Sequence, residues 1–110
     1  MTVSVVIPAH NAEGFIRATL DSVLRQTLAV REIVVVDDGS IDRTREVGSS
    51  LGPPVTLVAA AGRGVSAARN AGVRLSRGPY VAFMDHDDLW EPEKLARQAA
   101  ILDADPRAAL

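Results

Sequence analysis

The stretch Glu32-Ile33-Val34-Val35-Val36-Asp37-Asp38-Gly39-Ser40 decides the reading of the fold. Its four consecutive β-branched residues leave no polar face, which fits a strand buried on both sides in a helix-covered parallel sheet better than a half-exposed one. The same unit recurs on either side. Val3 to Ala9 reads as a strand and Ala12 to Gln26 as a helix, with Ile16, Leu20, Val23 and Leu24 on one face. The second strand, Glu32 to Asp38, leads to a short helix from Asp42 to Leu51, stopped by Gly52 and the Pro53-Pro54 pair. Val55 to Ala61 is a third strand, and Val65 to Arg77 a helix with Val65, Ala68, Gly72 and Leu75 at seam spacing. Tyr80 to Met84 is a fourth strand, and Pro92 opens a helix whose inward face is Leu95, Ala99 and Leu102. Four strands alternating with four helices predict an α/β, doubly wound, mainly parallel sheet in the order 3-2-1-4, with helices on both faces.

The 110 residues carry 12 basic and 14 acidic side chains, a net charge of −2, so a nucleic-acid module held by a basic surface is excluded. Hydrophobic residues at 47% and charged residues at 24% describe one ordinary globular domain over residues 1–110. Cysteine is absent. Disulfides, thiolate metal sites and a cysteine nucleophile are excluded with it, and any metal must take oxygen or imidazole ligands. Apolar runs such as Val5 to Ile7 and Val55 to Ala61 fall far short of the roughly 20 residues that span a bilayer. With no leader pattern at its start, the chain is expected to be cytoplasmic and to have no membrane span in this segment.

In a doubly wound sheet, ligands bind outside the carboxyl ends of the strands, at the point where strand order reverses. The predicted strand ends are Pro8-Ala9-His10-Asn11, Asp37-Asp38-Gly39-Ser40, Ala61-Gly62-Arg63-Gly64 and Asp85-His86-Asp87-Asp88, which gathers polar and glycine-rich residues on one edge. Asp85 and Asp87, two apart in an extended segment, are expected to face one side. Their repulsion would be relieved by Mg²⁺ or Mn²⁺, hard ions that bind one or two carboxylates together with phosphate oxygens. Asp88 reads better as a cap for the next helix. One of Asp37 and Asp38 anchors the turn while the other is free to meet a base or ribose, and Ser40 is placed to cap the helix containing Asp42 and Thr44. His10 suits base stacking or an ordinary loop. Gly62-Arg63-Gly64-Val65-Ser66-Ala67 matches a dinucleotide fingerprint, with Asp85 about 20 residues on. That reading explains Asp85 but leaves Asp87, the Asp37-Asp38 pair and His10 without a task. Arg69 and Asn70 could reach an anionic diphosphate, or Arg69 could be a solvated helix charge.

Taken together, Val6 to Asn11, Val35 to Ser40 with Asp42 and Thr44, Gly64 to Gly72, and Tyr80 to Leu95 resemble the amino-terminal half of family 2 glycosyltransferases of the GT-A fold. The match covers nearly the whole chain. The resemblance implies an inverting transfer from a nucleotide-diphosphate sugar, a UDP-sugar first, to an acceptor hydroxyl, with Mg²⁺ or Mn²⁺ as cofactor. By position it implies that Pro8 and His10 line the nucleobase pocket, Asp38 contacts base or ribose, and Arg69 lies near the nucleotide. Asp85 and Asp87 form a D-x-D element, Asp85 near ribose and metal and Asp87 the principal metal ligand. His10 and Gly62 depart from the Tyr and Asn common in the family. Family members continue into an acceptor-binding half, so the general base is expected beyond Leu110, residues 1–110 hold the donor-binding part, and the intact enzyme is compatible with membrane association. A binding-only module and a dinucleotide-dependent oxidoreductase are the competing readings. The sheet order leaves Tyr80 to Met84 as an apolar edge strand, from which either a homodimer through that strand or poor solubility is expected.

Overall fold

The computed structural model describes residues 2–60 and 62–104. Strands and helices alternate as β1 (Val3–Ala9), α1 (Ile16–Leu24), β2 (Glu32–Asp37), α2 (Thr44–Ser49), β3 (Val55–Ala59), α3 (Val65–Leu75), β4 (Tyr80–Phe83) and α4 (Lys94–Ala104). The strands form one sheet in the expected order, β3-β2-β1-β4. All three pairings are parallel, with Ile7 opposite Val35, Val35 opposite Leu57 and Val5 opposite Ala82. The two strands without a polar face occupy the middle: β1 is buried throughout and β2 from Ile33 onward. Only Val55 in β3 and Ala82 in β4 are buried, as edge positions require.

Each sheet face has its own core. On one, Val3, Val5, Ile7, Ile33 and Val35 pack with Ile16, Leu20 and Val23 of α1, and with Trp90 and Leu95. On the other, Val6, Val34 and Val36 meet Ala68 of α3. Full burial of a side chain such as Ile7 or Leu20 contributes about 1.5 to 3 kcal/mol. α3 comes close because Gly72 has no side chain: a Cβ there would lie 2.3 Å from Val6 Cγ1.

Several sequence expectations are corrected. Leu24, Val65 and Leu75 are exposed, at 40%, 48% and 52%, and do not belong to the helix seams. Leu24 closes α1, and the contact of α3 with the sheet centres on Ala68 and Gly72, so Val65 and Leu75 stand at the two ends of that helix. α1 starts at Ile16, not Ala12, because the Ala12 carbonyl accepts the N–H groups of both Phe15 and Ile16 in a turn that follows Asn11 at φ 48°. α4 opens at Lys94, not Pro92. The Pro92 carbonyl accepts the Thr27 N–H, and Gln26 holds the helix start by accepting the Leu95 N–H and donating to the Glu91 carbonyl. β3 ends at Ala59, and Ala61 lies outside the described residues. Among the described residues, no helix is long and apolar enough to cross a membrane.

Candidate functional site

Because the strands run in one direction, the loops that follow them leave the sheet at the same edge. A chain of hydrogen bonds crosses those loops in the spatial order of the strands. After β3, the Gly64 N–H donates to Asp38 Oδ2 at 3.1 Å. After β2, the Asp38 carbonyl accepts from His10 Nδ1 at 2.8 Å. After β1, the His10 N–H donates to His86 Nδ1 at 3.2 Å, which reaches the loop after β4. A carbonyl only accepts, so His10 carries a proton on Nδ1; His86 Nδ1 accepts, so neutral His86 carries its proton on Nε2.

Local chemistry holds these loops in shape. The Asn11 N–H donates to Ser40 Oγ at 3.0 Å, and Asn11 Oδ1 accepts the Ile41 N–H at 2.9 Å. Ser40 is thus a bridge to the first loop and not the expected helix cap. Asp42 braces the same loop, accepting the Thr44 N–H at 2.9 Å and the Glu13 N–H at 3.2 Å, while α2 itself starts after Arg43 with no side-chain cap. The hydrogen bond from the Thr44 hydroxyl, followed by the backbone bonds, holds the Asp42 carboxyl below its ordinary value against burial. Thr44 Oγ1 also accepts the Ala12 N–H at 2.7 Å.

The two acids after β2 divide as one anchor and one free group. Asp37 is fully buried and its Oδ2 meets Arg45 Nε of α2 at 2.5 Å. Asp38 lines a cavity of about 250 Å³ with Pro8, Ala9, His10, Val65 and His86. Its Oδ1 is buried and has no partner among the described residues.

After β4, Asp85 to Asp88 form a tight turn closed by the Asp88 N–H on the Asp85 carbonyl at 3.1 Å. The expected extended segment is absent, so strand alternation is not what relates Asp85 and Asp87; they are two positions of one turn. The buried Thr19 hydroxyl lies 2.9 Å from the His86 carbonyl and 2.8 Å from that of Asp88, tying the turn to α1. Asp88 Oδ1 accepts the Leu89 N–H, a bond within its own loop and not the expected helix cap, since α4 begins only at Lys94. Arg69 is more than a solvated charge: its Nη2 lies 3.5 Å from Asp85 Oδ1, its guanidinium lies 5.9 Å from the Phe83 ring centre, and its Nε is buried without a partner among the described residues. Asp87 is exposed and makes no hydrogen bond or ion pair among the described residues.

No three His, Asp or Glu side chains among the described residues group as a ready-made metal site. Two carboxylates in one turn nevertheless suit a hard divalent ion, which binds through one or two carboxylates and completes its shell with substrate phosphates and water. The expected residues thus fall into two neighbouring groups, Pro8, His10 and Asp38 on the cavity and Arg69, Asp85 and Asp87 around the turn. Sequence reasoning missed His86, Asn11 and Thr19, which join these loops. His86 stood within a quoted motif, but no spacing rule marks the partner of its ring.

A parallel sheet in the order β3-β2-β1-β4 with this edge matches the GT-A class of glycosyltransferase domain, as superposition on a solved member shows. The structure of S. aureus TarS 1–349 in complex with UDP-GlcNAc superposes with a TM-score of 0.84 at 30% identity, covering 94% of this chain and 32% of that one. Residues 4–110 match the model of Glycosyl transferase family 2, and the chain belongs to that family. An uncharacterized glycosyltransferase of Rickettsia typhi is 37% identical over 91% of this chain and 31% of its own length. The Escherichia coli UDP-Glc:alpha-D-GlcNAc-diphosphoundecaprenol beta-1,3-glucosyltransferase WfgD is 38% identical over 91% of this chain and 40% of its own. The chain therefore spans about a third of the length of such relatives. The oxidoreductase reading falls with the family assignment: its glycine fingerprint follows β3, at the edge of the sheet.

Proposed function

We propose that this chain is the donor-binding part of an inverting glycosyltransferase that takes a nucleotide-diphosphate sugar, a UDP-sugar first, and passes the sugar to an acceptor hydroxyl. The observation that carries this reading is that Asp38 Oδ1, beside the cavity, and Arg69 Nε, beside the turn, are two of the four buried side-chain atoms without a partner among the described residues, with Asp37 Oδ1 and Trp90 Nε1, and lie on the sheet edge that also bears Asp85 and Asp87. An unpartnered buried polar atom costs about 1 to 3 kcal/mol, a cost a ligand can offset. TarS, bound to UDP-GlcNAc in the solved complex, supports the donor class.

In this reading the His10 ring, fixed through Nδ1, stacks on the base beside Pro8, and Asp38 Oδ1 accepts a hydrogen bond from base or ribose. Arg69 Nε and the uncapped start of α3 face the diphosphate. Asp87, with Asp85 beside it, would hold Mg²⁺ or Mn²⁺. Such an ion, when bound, stabilises the charge on the departing nucleoside diphosphate. Binding requires only this edge, whereas transfer also requires a general base within reach of the acceptor hydroxyl. A binding-only module is therefore the second reading. We place the donor chemistry in the cytoplasm.

Calorimetric titration of UDP with and without Mn²⁺ tests the binding claim. Mn²⁺ is expected to tighten binding about tenfold in the wild type, some 1.4 kcal/mol, and not in Asp87→Asn. Equal enhancement in both proteins would remove Asp87 from the site, and release of free sugar from UDP-GlcNAc or UDP-glucose would favour the transferase reading over the binding-only one.

A further inference from the structure

His86 occupies both groups of the site. Its ring lines the cavity with Pro8, His10 and Asp38, while its backbone stands between Asp85 and Asp87. Its Nδ1 accepts the His10 N–H at 3.2 Å, the one side-chain hydrogen bond between the loop after β1 and the turn after β4 among the described residues. The His10 ring in turn is tied to the Asp38 carbonyl at 2.8 Å, and the His86 carbonyl lies 2.9 Å from the Thr19 hydroxyl. A group that settles in the cavity must therefore settle His10, and through one hydrogen bond the turn that carries both carboxylates.

We propose that His86 is a positioning residue that couples occupancy of the base cavity to the geometry of the Asp85–Asp87 turn, so that nucleoside and divalent cation strengthen one another's binding. The inference rests on the donor-site reading above. A ligand that fixes the His10 N–H fixes its acceptor, and the turn is then arranged before the second ligand arrives; the ordering is met once and not twice. Coupling of this kind is reciprocal, so the cation must raise nucleoside affinity by the factor by which the nucleoside raises cation affinity. The acceptor position on the ring is what matters. Asn places an oxygen where His86 Nδ1 stands, whereas Gln places one where Nε2 stands and leaves the His10 N–H unmatched.

The test measures UDP dissociation constants with and without Mn²⁺ at one fixed pH, for wild type and for His86→Asn, His86→Gln and His86→Ala, each checked for folding by circular dichroism. The readout is the ratio of the two constants for each protein. Wild type and His86→Asn should share one ratio, and His86→Gln and His86→Ala should lose about fivefold or more of it. His86→Gln keeps the bulk of the side chain, so it decides the matter should His86→Ala not fold. A wild-type ratio in His86→Gln, or a loss in His86→Asn as large as in His86→Gln, would overturn the proposal. A wild type that binds no UDP, or binds it with no effect of Mn²⁺, would instead overturn the donor-site reading beneath it.

Discussion

At the edge where the strands begin, the Ser4 hydroxyl donates to Glu32 Oε2 at 2.7 Å and accepts the Gly78 N–H at 2.9 Å, and the Arg77 N–H donates to the same carboxylate. At the edge where they end, Asp38 Oδ1 and Arg69 Nε are buried with no partner among the described residues. The starting edge has the larger cavity, about 500 Å³ beside Arg31, Glu32 and Arg77, against about 250 Å³ at the finishing edge. Volume is the poorer guide of the two. Polar groups that already satisfy one another gain little from a ligand, while unmet ones gain a hydrogen bond. One edge closes the fold, and the other carries the unmet groups on which the proposed site rests.

The most disruptive change should damage both edges alike. Gly72→Val would place its Cβ 2.3 Å from Val6 Cγ1 in the middle of the sheet, and overpacking of this kind costs about 1 to 3 kcal/mol. Urea unfolding should show that loss together with weaker UDP binding. Asp38→Ala should separate the edges. Nucleoside affinity is expected to fall by about 1 to 3 kcal/mol even without metal, with the unfolding midpoint nearly unchanged; a variant that binds uridine as the wild type does would assign Asp38 to the turn.

Glu32 gives the converse. Burial alone would raise its carboxyl, but the Arg77 N–H, the Ser4 hydroxyl and the charges of Arg77 and Arg31 outweigh it and hold it below the ordinary 4.5. Its contribution to stability is thus present above that value and is lost as the pH falls through the lower folded-state value. Glu32→Gln should lower the midpoint at neutral pH by the equivalent of about 1 kcal/mol. It should also flatten the fall in stability as the pH drops below the ordinary carboxyl value of 4.5, and leave UDP affinity alone. Smallest in energy is the β4 edge, where Tyr80 and Phe83 are 41% and 45% exposed. We propose self-association there, and light scattering should show a wild-type dimer that Val81→Lys removes, with some loss of stability because Val81 packs against the second core.

The central fold was legible because Ile33 to Val36 has no polar face and Val3 to Ala9 only Ser4 as a polar residue, which fits inner strands better than half-exposed ones. The division of labour between Asp37 and Asp38 was not legible. Both follow the same apolar run, and only the position of Arg45 on α2 decides which carboxylate is spent on the fold. Helix ends were misjudged where a distant side chain supplies the cap, as Gln26 does for Leu95 across 69 residues. The Asp85–Asp88 turn escaped for the same reason. Its shape depends on Thr19 and His10, which neighbour it only after folding. Residue types and strand-end location carried the candidate site, and tertiary hydrogen bonds carried its geometry.

Amide chemical shifts read both edges in one experiment. On titration of the ¹⁵N-labelled chain with UDP and Mg²⁺, the account predicts saturable shifts at His10, Asn11, Asp38, Gly64, His86 and Asp87. Ser4, Glu32, Thr56, Arg77 and Gly78 should stay still. Shifts centred on Glu32 and Arg77, or none at any residue of the finishing edge at millimolar UDP, would contradict it.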